Sequence, residues 1–260
     1  MSSDQPVQVV DRETLRSRLD ELLQPERFRD YGPNGLQVEG RAQIRRLVSG
    51  VTASRSLIEQ AIETGADALL VHHGLFWRGQ SGCVVGWMKQ RLALLLRHDI
   101  NLFAYHLPLD AHPTLGNNAQ LGERLGFIPG PQGWSSFGEQ GLGFIGQTEL
   151  PSAQALADRV QAVLGRRVTL IDAPRRPIRR VGWCSGAAQG YFEAAIDAGV
   201  DAFITGELSE PQTHYARECG VAFLACGHHA TERYGASAVG HWLAQQFGIE
   251  HRFIDVDNPA

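Results

Sequence analysis

The sequence predicts an α/β protein made of two similar α/β domains with parallel or mixed sheets, and three observations point there. Strand-like and helix-like patterns alternate along most of the chain. A stretch rich in glycine and proline, GFIPGPQGWSSFGEQG from Gly126, interrupts the alternation near the middle. On either side of it the chain repeats itself. IRRLVSG from Ile44 and EQAIETGADALL from Glu59 align without gaps, at one constant shift, with IRRVGWC from Ile178 and EAAIDAGVDAFI from Glu193. The match pairs Gly65 with Gly199 and Asp67 with Asp201, and puts Gly206 and Glu207 where the first copy has His72 and His73. Such self-similarity is the mark of a duplicated unit.

Taken in order, Leu15, Leu19, Leu22 and Leu23 give an amphipathic helix over about 11–23. A strand over 47–51, a helix over 54–64 stopped by Gly65, and a strand over 68–71 follow, so that His72 and His73 fall at a strand's carboxyl end. A helix over 85–97, a strand over 101–105, a polar loop over 106–112 and a helix over about 118–125 complete a first domain, 1–125. The glycine- and proline-rich segment 126–141 is expected to be a linker. The second domain, 142–260, is expected to run as a strand over 142–149, a helix over 152–164, and strands over 168–171, 180–184 and 221–225. Its last element is a helix over about 229–247, with His228 at its start. The metal site described below is expected between the two halves.

Composition narrows the function classes. With 43% apolar and 20% charged residues, the 260-residue chain fits a globular protein with a sizeable core. A formal net charge of −4 argues against a broad nucleic-acid surface. Lys89 is the only lysine, so cationic charge is almost all arginine, which suits forked contacts with phosphate or carboxylate. Cys83, Cys184, Cys219 and Cys226 form no CxxC pair and no disulfide framework. With no signal-like start and no membrane-length apolar run, the expectation is a cytoplasmic protein with no membrane association.

All of the ten histidines except His98, His241 and His251 fall in four short segments, VHHGLFWRG, YHLPLDAH, TGELSEPQTHY and CGHHATER. Imidazole with carboxylate suits zinc, manganese, iron, nickel or cobalt, whereas calcium and magnesium sites are dominated by oxygen. His228 and Glu232 are four residues apart, which on a helix puts both on one face, and Glu232 could bridge two ions. His72 and His73 can both turn inward where the strand runs into Gly74, each toward a different ion. Asp110 adds an anionic oxygen from the loop after the neighbouring strand, at the crevice where α/β sheets collect ligands. Taken singly, each of these has a plainer reading as a cap, a turn or a solvated residue; their shared place at strand ends favours two neighbouring divalent ions held by His72, His73, Asp110, His228 and Glu232.

Further residues are secondary candidates. His106 and His112 are read as supports for Asp110, His229 as facing away, and Glu207 as a site residue by the repeat. His214 is read either as a proton carrier or as an ordinary helix residue. Arg78 and Arg233 are either contacts for substrate phosphate or solvated surface residues. Phe76, Trp77 and Trp87 are read as core.

At NGLQVEG (Asn34 to Gly40), VHHGLFWRG (Val71 to Gly79), HLPLDAH (His106 to His112), TGE (Thr205 to Glu207) and GHHATER (Gly227 to Arg233), the sequence resembles the GTP cyclohydrolase 1 type 2 homologs, also called the Nif-three-like dinuclear metal family. The likeness spans nearly the whole chain, in the short form of the family. It implies the same five metal ligands, with Glu232 shared between both ions, two similar α/β domains, and a ring-shaped homohexamer with metal sites facing an internal cavity. It also implies attack of hydroxide on the imidazole carbon of GTP, with arginines holding the triphosphate. The expected function is therefore metal-dependent hydrolysis of a small-molecule substrate. The alternatives are a metal-holding hexameric scaffold that binds protein or nucleic acid without turnover, and metal storage or delivery.

Overall fold

A computed structural model describes residues 7–173 and 177–260. The first elements are β1 (Val10–Asp11), α1 (Arg12–Leu23), β2 (Gly35–Val38), β3 (Gln43–Ile44), β4 (Arg46–Thr52), α2 (Arg55–Glu63), β5 (Ala68–His73), α3 (Gly86–Arg97) and β6 (Asn101–Ala104). There follow α4 (Leu107–Ala111), α5 (Asn117–Arg124), β7 (Ser135–Phe137), β8 (Gly143–Leu150), α6 (Ala153–Leu164), β9 (Thr169–Ile171), β10 (Ile178–Trp183), α7 (Phe192–Asp197), β11 (Ala202–Thr205), α8 (Glu210–Cys219) and β12 (Ala222–Ala225). The chain closes with α9 (His228–Thr231), α10 (Gly235–Phe247) and β13 (Glu250–Phe253). The helix starts carry the expected chemistry: Asp11 accepts from the Glu13 and Thr14 N–H groups at α1, and Ser54 and Ser152 cap α2 and α6.

Two compact units result, one of residues 1–109 with 235–257, the other of 110–234 with 258–260. The first unit holds a five-stranded sheet in the order β13-β4-β5-β6-β2, with β13, β4, β5 and β6 parallel and β2 antiparallel at the edge. The second holds a six-stranded sheet in the order β7-β8-β10-β11-β12-β9, parallel across β10, β11 and β12 and antiparallel outside them. Each unit has its own core. Leu57, Leu69, Leu95 and Leu102 are buried in the first, and Leu156, Val160, Trp183 and Leu224 in the second. Each such side chain contributes about 2 kcal/mol by leaving water.

The internal match is visible in the backbone. β4 pairs with β5 as Leu47↔Ala68, Val48↔Leu69 and Ser49↔Leu70, and β10 pairs with β11 as Val181↔Ala202, Gly182↔Phe203 and Trp183↔Ile204, the same register under the sequence alignment. Asp67 accepts the N–H groups of Arg45 and Arg46 at 2.8 and 2.9 Å, and its counterpart Asp201 accepts those of Arg179 and Arg180, both at 2.9 Å. Gly65 and Gly199, at φ 70 and φ 73, stop the preceding helices in a left-handed conformation open to glycine. The order helix, antiparallel edge strand, then three parallel strands linked by helices recurs in α1-β2-β4-α2-β5-α3-β6 and α6-β9-β10-α7-β11-α8-β12.

Three expectations need correction. The segment 126–141 is not a linker but part of the second unit: Ile128 bridges Gln147, Ser135–Phe137 forms β7 against β8, and Trp134 meets Trp183 edge to face at 5.2 Å. Its glycines and prolines shape a short meander. Nor does the second half of the chain form one domain, because α10 and β13 belong to the first unit, where β13 pairs in parallel with β4. The helix expected over 229–247 is broken as well, into α9 and α10, with Glu232 at φ −110, ψ 7 just past the first piece. There the Thr231 hydroxyl reaches the His228 carbonyl at 2.8 Å and accepts the Gly186 N–H at 3.0 Å, a side-chain bond that competes with helix continuation.

Candidate metal centre

In the first unit three imidazoles gather at the carboxyl ends of adjacent strands. His72 and His73 end β5, and His106 follows β6. Their ring centroids lie 4.5 to 5.6 Å apart, and each ring offers one ligand atom within 4.8 Å of the others. Each ring is tied through Nδ1: His72 to the Tyr105 carbonyl at 3.1 Å, His73 to the Thr52 hydroxyl at 3.1 Å, and His106 to Asp30 Oδ1 at 2.7 Å. Such ties fix ring orientation and leave Nε2 of each as the nitrogen able to meet an ion.

The NGLQVEG motif explains part of this rigidity. Asn34 accepts the His106 N–H at 2.7 Å and donates to Asp30 at 2.9 Å, and Gln37 accepts the Leu75 N–H at 2.8 Å just beyond the histidine pair. The Asp30 side chain is nearly buried, which by itself raises its pKa. Hydrogen bonds from His106, Asn34 and the Tyr31 N–H overcome that and push it down to about 2.

In the second unit the donors are Asp110, His228 and Glu232. Asp110 sits in α4, and Asn117 and Ser185 both donate to its Oδ1, at 2.9 and 3.1 Å. An oxygen of Asp110 lies within 4.8 Å of one of Glu232, and the two residues are only 7% and 3% exposed. Two buried carboxylates this close require positive charge beside them. His228 supplies some of it, with Nδ1 on Glu207 at 2.7 Å and Nε2 on Glu232 at 3.2 Å. Burial opposes protonation of His228, but hydrogen bonding and attraction to Glu232 and Glu207 win, and its pKa is raised to about 9. Gly186 completes the cradle at φ +69, for a Cβ there would run into Glu232 Oε1.

Glu207, expected from the repeat, thus holds His228. His106 joins His72 and His73. His112 is turned back on its own loop, where Nδ1 accepts the Leu115 N–H at 3.0 Å and burial lowers its pKa. His214 is exposed and paired with Glu210 at 3.0 Å. His229 is buried. Arg78 donates to the Asp30 carbonyl at 2.8 Å, and Arg233 to the Leu164 carbonyl at 2.8 Å. The aromatic residues expected in the core are not there: Phe76 and Trp87 are exposed, and Trp77 stands edge-on to His106 at 5.0 Å. Asp30, Asn117, Ser185 and Gly186 went unread, because an acid before a turn, an Asn pair and an SG dipeptide are common loop residues and nothing local marks them as supports.

The donor set, imidazole with carboxylate, fits first-row divalent ions in its chemistry. His72, His73, Asp110, His228 and Glu232 all recur among the described groups able to hold an ion, joined by His106. Among the described residues, no helix is long and apolar enough to cross a membrane.

Residues 10–259 match the family model described as Duf34/NIF3 (NGG1p interacting factor 3). A protein of Neisseria meningitidis serogroup A named GTP cyclohydrolase 1 type 2 homolog is 54% identical over 244 residues, covering 93% of this chain and 96% of its own. A Pseudomonas aeruginosa protein of the same name is 53% identical over 249 residues, covering 95% and 98%. Among solved structures, one described as protein ybgI, of unknown function, superposes with a TM-score of 0.89 at 44% identity over 96% of this chain and 100% of its own. Another, from Thermus thermophilus, gives 0.85 at 32% identity over 96% and 100%. On this evidence the chain belongs to the Duf34/NIF3 family.

Proposed function

We propose that His72, His73, Asp110, His228 and Glu232 hold two divalent metal ions, with Glu232 shared between them, and that the centre carries out metal-dependent hydrolysis. Two observations carry the reading: three Nδ1-anchored imidazoles gather in one unit, and two close, buried carboxylates stand together in the other. A bound pair of first-row ions supplies Lewis acidity and acidifies water near neutral pH. The chain's own residues do the rest. Thr52, Asp30 and Glu207 orient the imidazoles that they touch, and the buried Asp110 and Glu232 provide the anionic charge that retains the ions.

The similar proteins named GTP cyclohydrolase 1 type 2 homolog make a purine nucleotide the first substrate to try, and the resemblance further proposes a cytoplasmic homohexamer, measurable by light scattering. Elemental analysis of the purified protein, followed by a screen of GTP, phosphoesters, amides and cyclic amidines, tests the proposal. Turnover should require metal and vanish in His228→Ala. A metal-loaded protein inert on the whole panel rejects hydrolysis and favours the scaffold reading, whereas a protein that retains no first-row metal rejects the centre itself.

A further inference from the structure

The chain that leaves β10 touches both acidic donors of the second unit. Ser185 donates its hydroxyl to Asp110 Oδ1 at 3.1 Å, and the next residue, Gly186, lies against Glu232 Oε1. Ser185 and Gly186 are held from several sides. The Ser185 N–H donates to Asn118 Oδ1 at 2.9 Å, the Gly186 N–H to the Thr231 hydroxyl at 3.0 Å, and the Gly186 carbonyl accepts the Thr205 hydroxyl at 3.0 Å and the Gly206 N–H at 2.8 Å. Its hydroxyl is therefore aimed by the fold rather than by its own rotamer.

Asn117 places a second donor on the same oxygen, at 2.9 Å, from the first turn of α5. Both donors are buried, Ser185 at 6% exposure and Asn117 at 0%. A carboxylate can meet an ion through one oxygen or both, and that choice sets the coordination number. With two donors on Oδ1, binding through both oxygens would stretch two charge-assisted hydrogen bonds between buried groups.

We infer that Ser185, together with Asn117, makes Asp110 a one-oxygen ligand and so keeps a coordination position available to substrate or water. Ser185 is a positioning residue, and its role rests on the metal reading above. The first repeat carries a parallel device, for Thr52, at the end of β4, sets the His73 ring with its hydroxyl at 3.1 Å. A hydroxyl at or just beyond the end of the corresponding strand orients a donor in each unit.

Cobalt(II) titration of the full-length protein tests this, with affinity read by chelator competition and coordination read from the visible d–d bands. Ser185→Ala should weaken cobalt binding about tenfold and lower the d–d absorbance, the sign of a higher coordination number, while the metal-free protein melts at the wild-type temperature. Ser185→Thr, which keeps the hydroxyl, should restore affinity and spectrum. Wild-type affinity and bands in Ser185→Ala would overturn the inference alone, as would a loss of affinity matched by an equal loss of metal-free stability. A wild-type protein that binds no cobalt would overturn the metal reading, and this inference with it.

Discussion

The β4–β6 region and the β10–β12 region share a register, a helix stop and an aspartate that gathers two backbone N–H groups, yet they end in different chemistry. Where β5 closes on His72 and His73, the chain after β11 continues into Gly206 and Glu207. The reason at the first of these positions is steric. A Cβ on Gly206 would sit 2.6 Å from the Gly186 carbonyl oxygen and 2.6 Å from His228 Cα, whereas His72 is fully buried with room for its ring. The first repeat therefore presents imidazoles directly, and the second uses its equivalent strand end to let the His228 backbone pass and to brace that ring with Glu207. Scaffold and site chemistry separate cleanly here: the aspartate ties preserve the fold, and the residues at the strand ends decide what it can bind.

The aspartates give the largest expected effect. Asp67→Ala should cost about 4 kcal/mol and Asp201→Ala about 3 kcal/mol in urea unfolding, because each removes the acceptor of two N–H groups, which are part-buried at Asp67 and more exposed at Asp201. An Asp201 effect below a third of that at Asp67 would break the structural equivalence of the repeats. Next comes Gly206→Ala, expected to destabilise by about 3 kcal/mol through overpacking against backbone that cannot step aside. A neutral result would remove the steric account of why the second repeat carries no imidazole there.

A pH experiment separates the units. His251 on β13 meets the Ser49 hydroxyl at 2.7 Å, and burial, with a smaller push from His241, lowers its pKa to about 4. The unfolded chain thus binds this proton more readily than the folded one, so stability is full above about pH 6.5 and is lost as pH falls toward 4. By pH 5 the loss should reach about 2 kcal/mol, and His251→Asn should flatten the curve in that window. β8, which flanks β10 in the second unit, carries no histidine, so at pH 5 hydrogen exchange should rise along β13 and β4 before it rises along β8 and β10. The smallest effect is expected for Glu207→Gln, a roughly tenfold loss of metal affinity with the fold intact. No change would reduce the second repeat's contribution to spacing alone.

Much of this organisation was legible in the residues. Alternating apolar runs marked most of the elements, and the aligned Asp67 and Asp201 share one hydrogen-bond pattern in the structure. Histidine crowding at strand ends pointed to His72, His73 and His228, each of which stands in a group able to hold an ion. What escaped was long-range. β13 reads EHRF, with no apolar face, and it is a strand because β4 lies beside it, which no local pattern reveals. Glycine and proline in 126–141 signalled turns correctly but said nothing about Trp134 packing on Trp183. The break after Thr231 depends on a hydroxyl bonded to Gly186, a partner far along the chain.

The return of α10 and β13 to the first unit bears on how the polypeptide is made. A ribosome releasing residues 1–109 delivers a sheet whose β4 edge is still bare, and that edge waits for the last strand of the chain. Truncation before Glu250 should therefore yield a protein prone to edge-to-edge aggregation, and no single cut in the gene can free either half as a self-sufficient fragment.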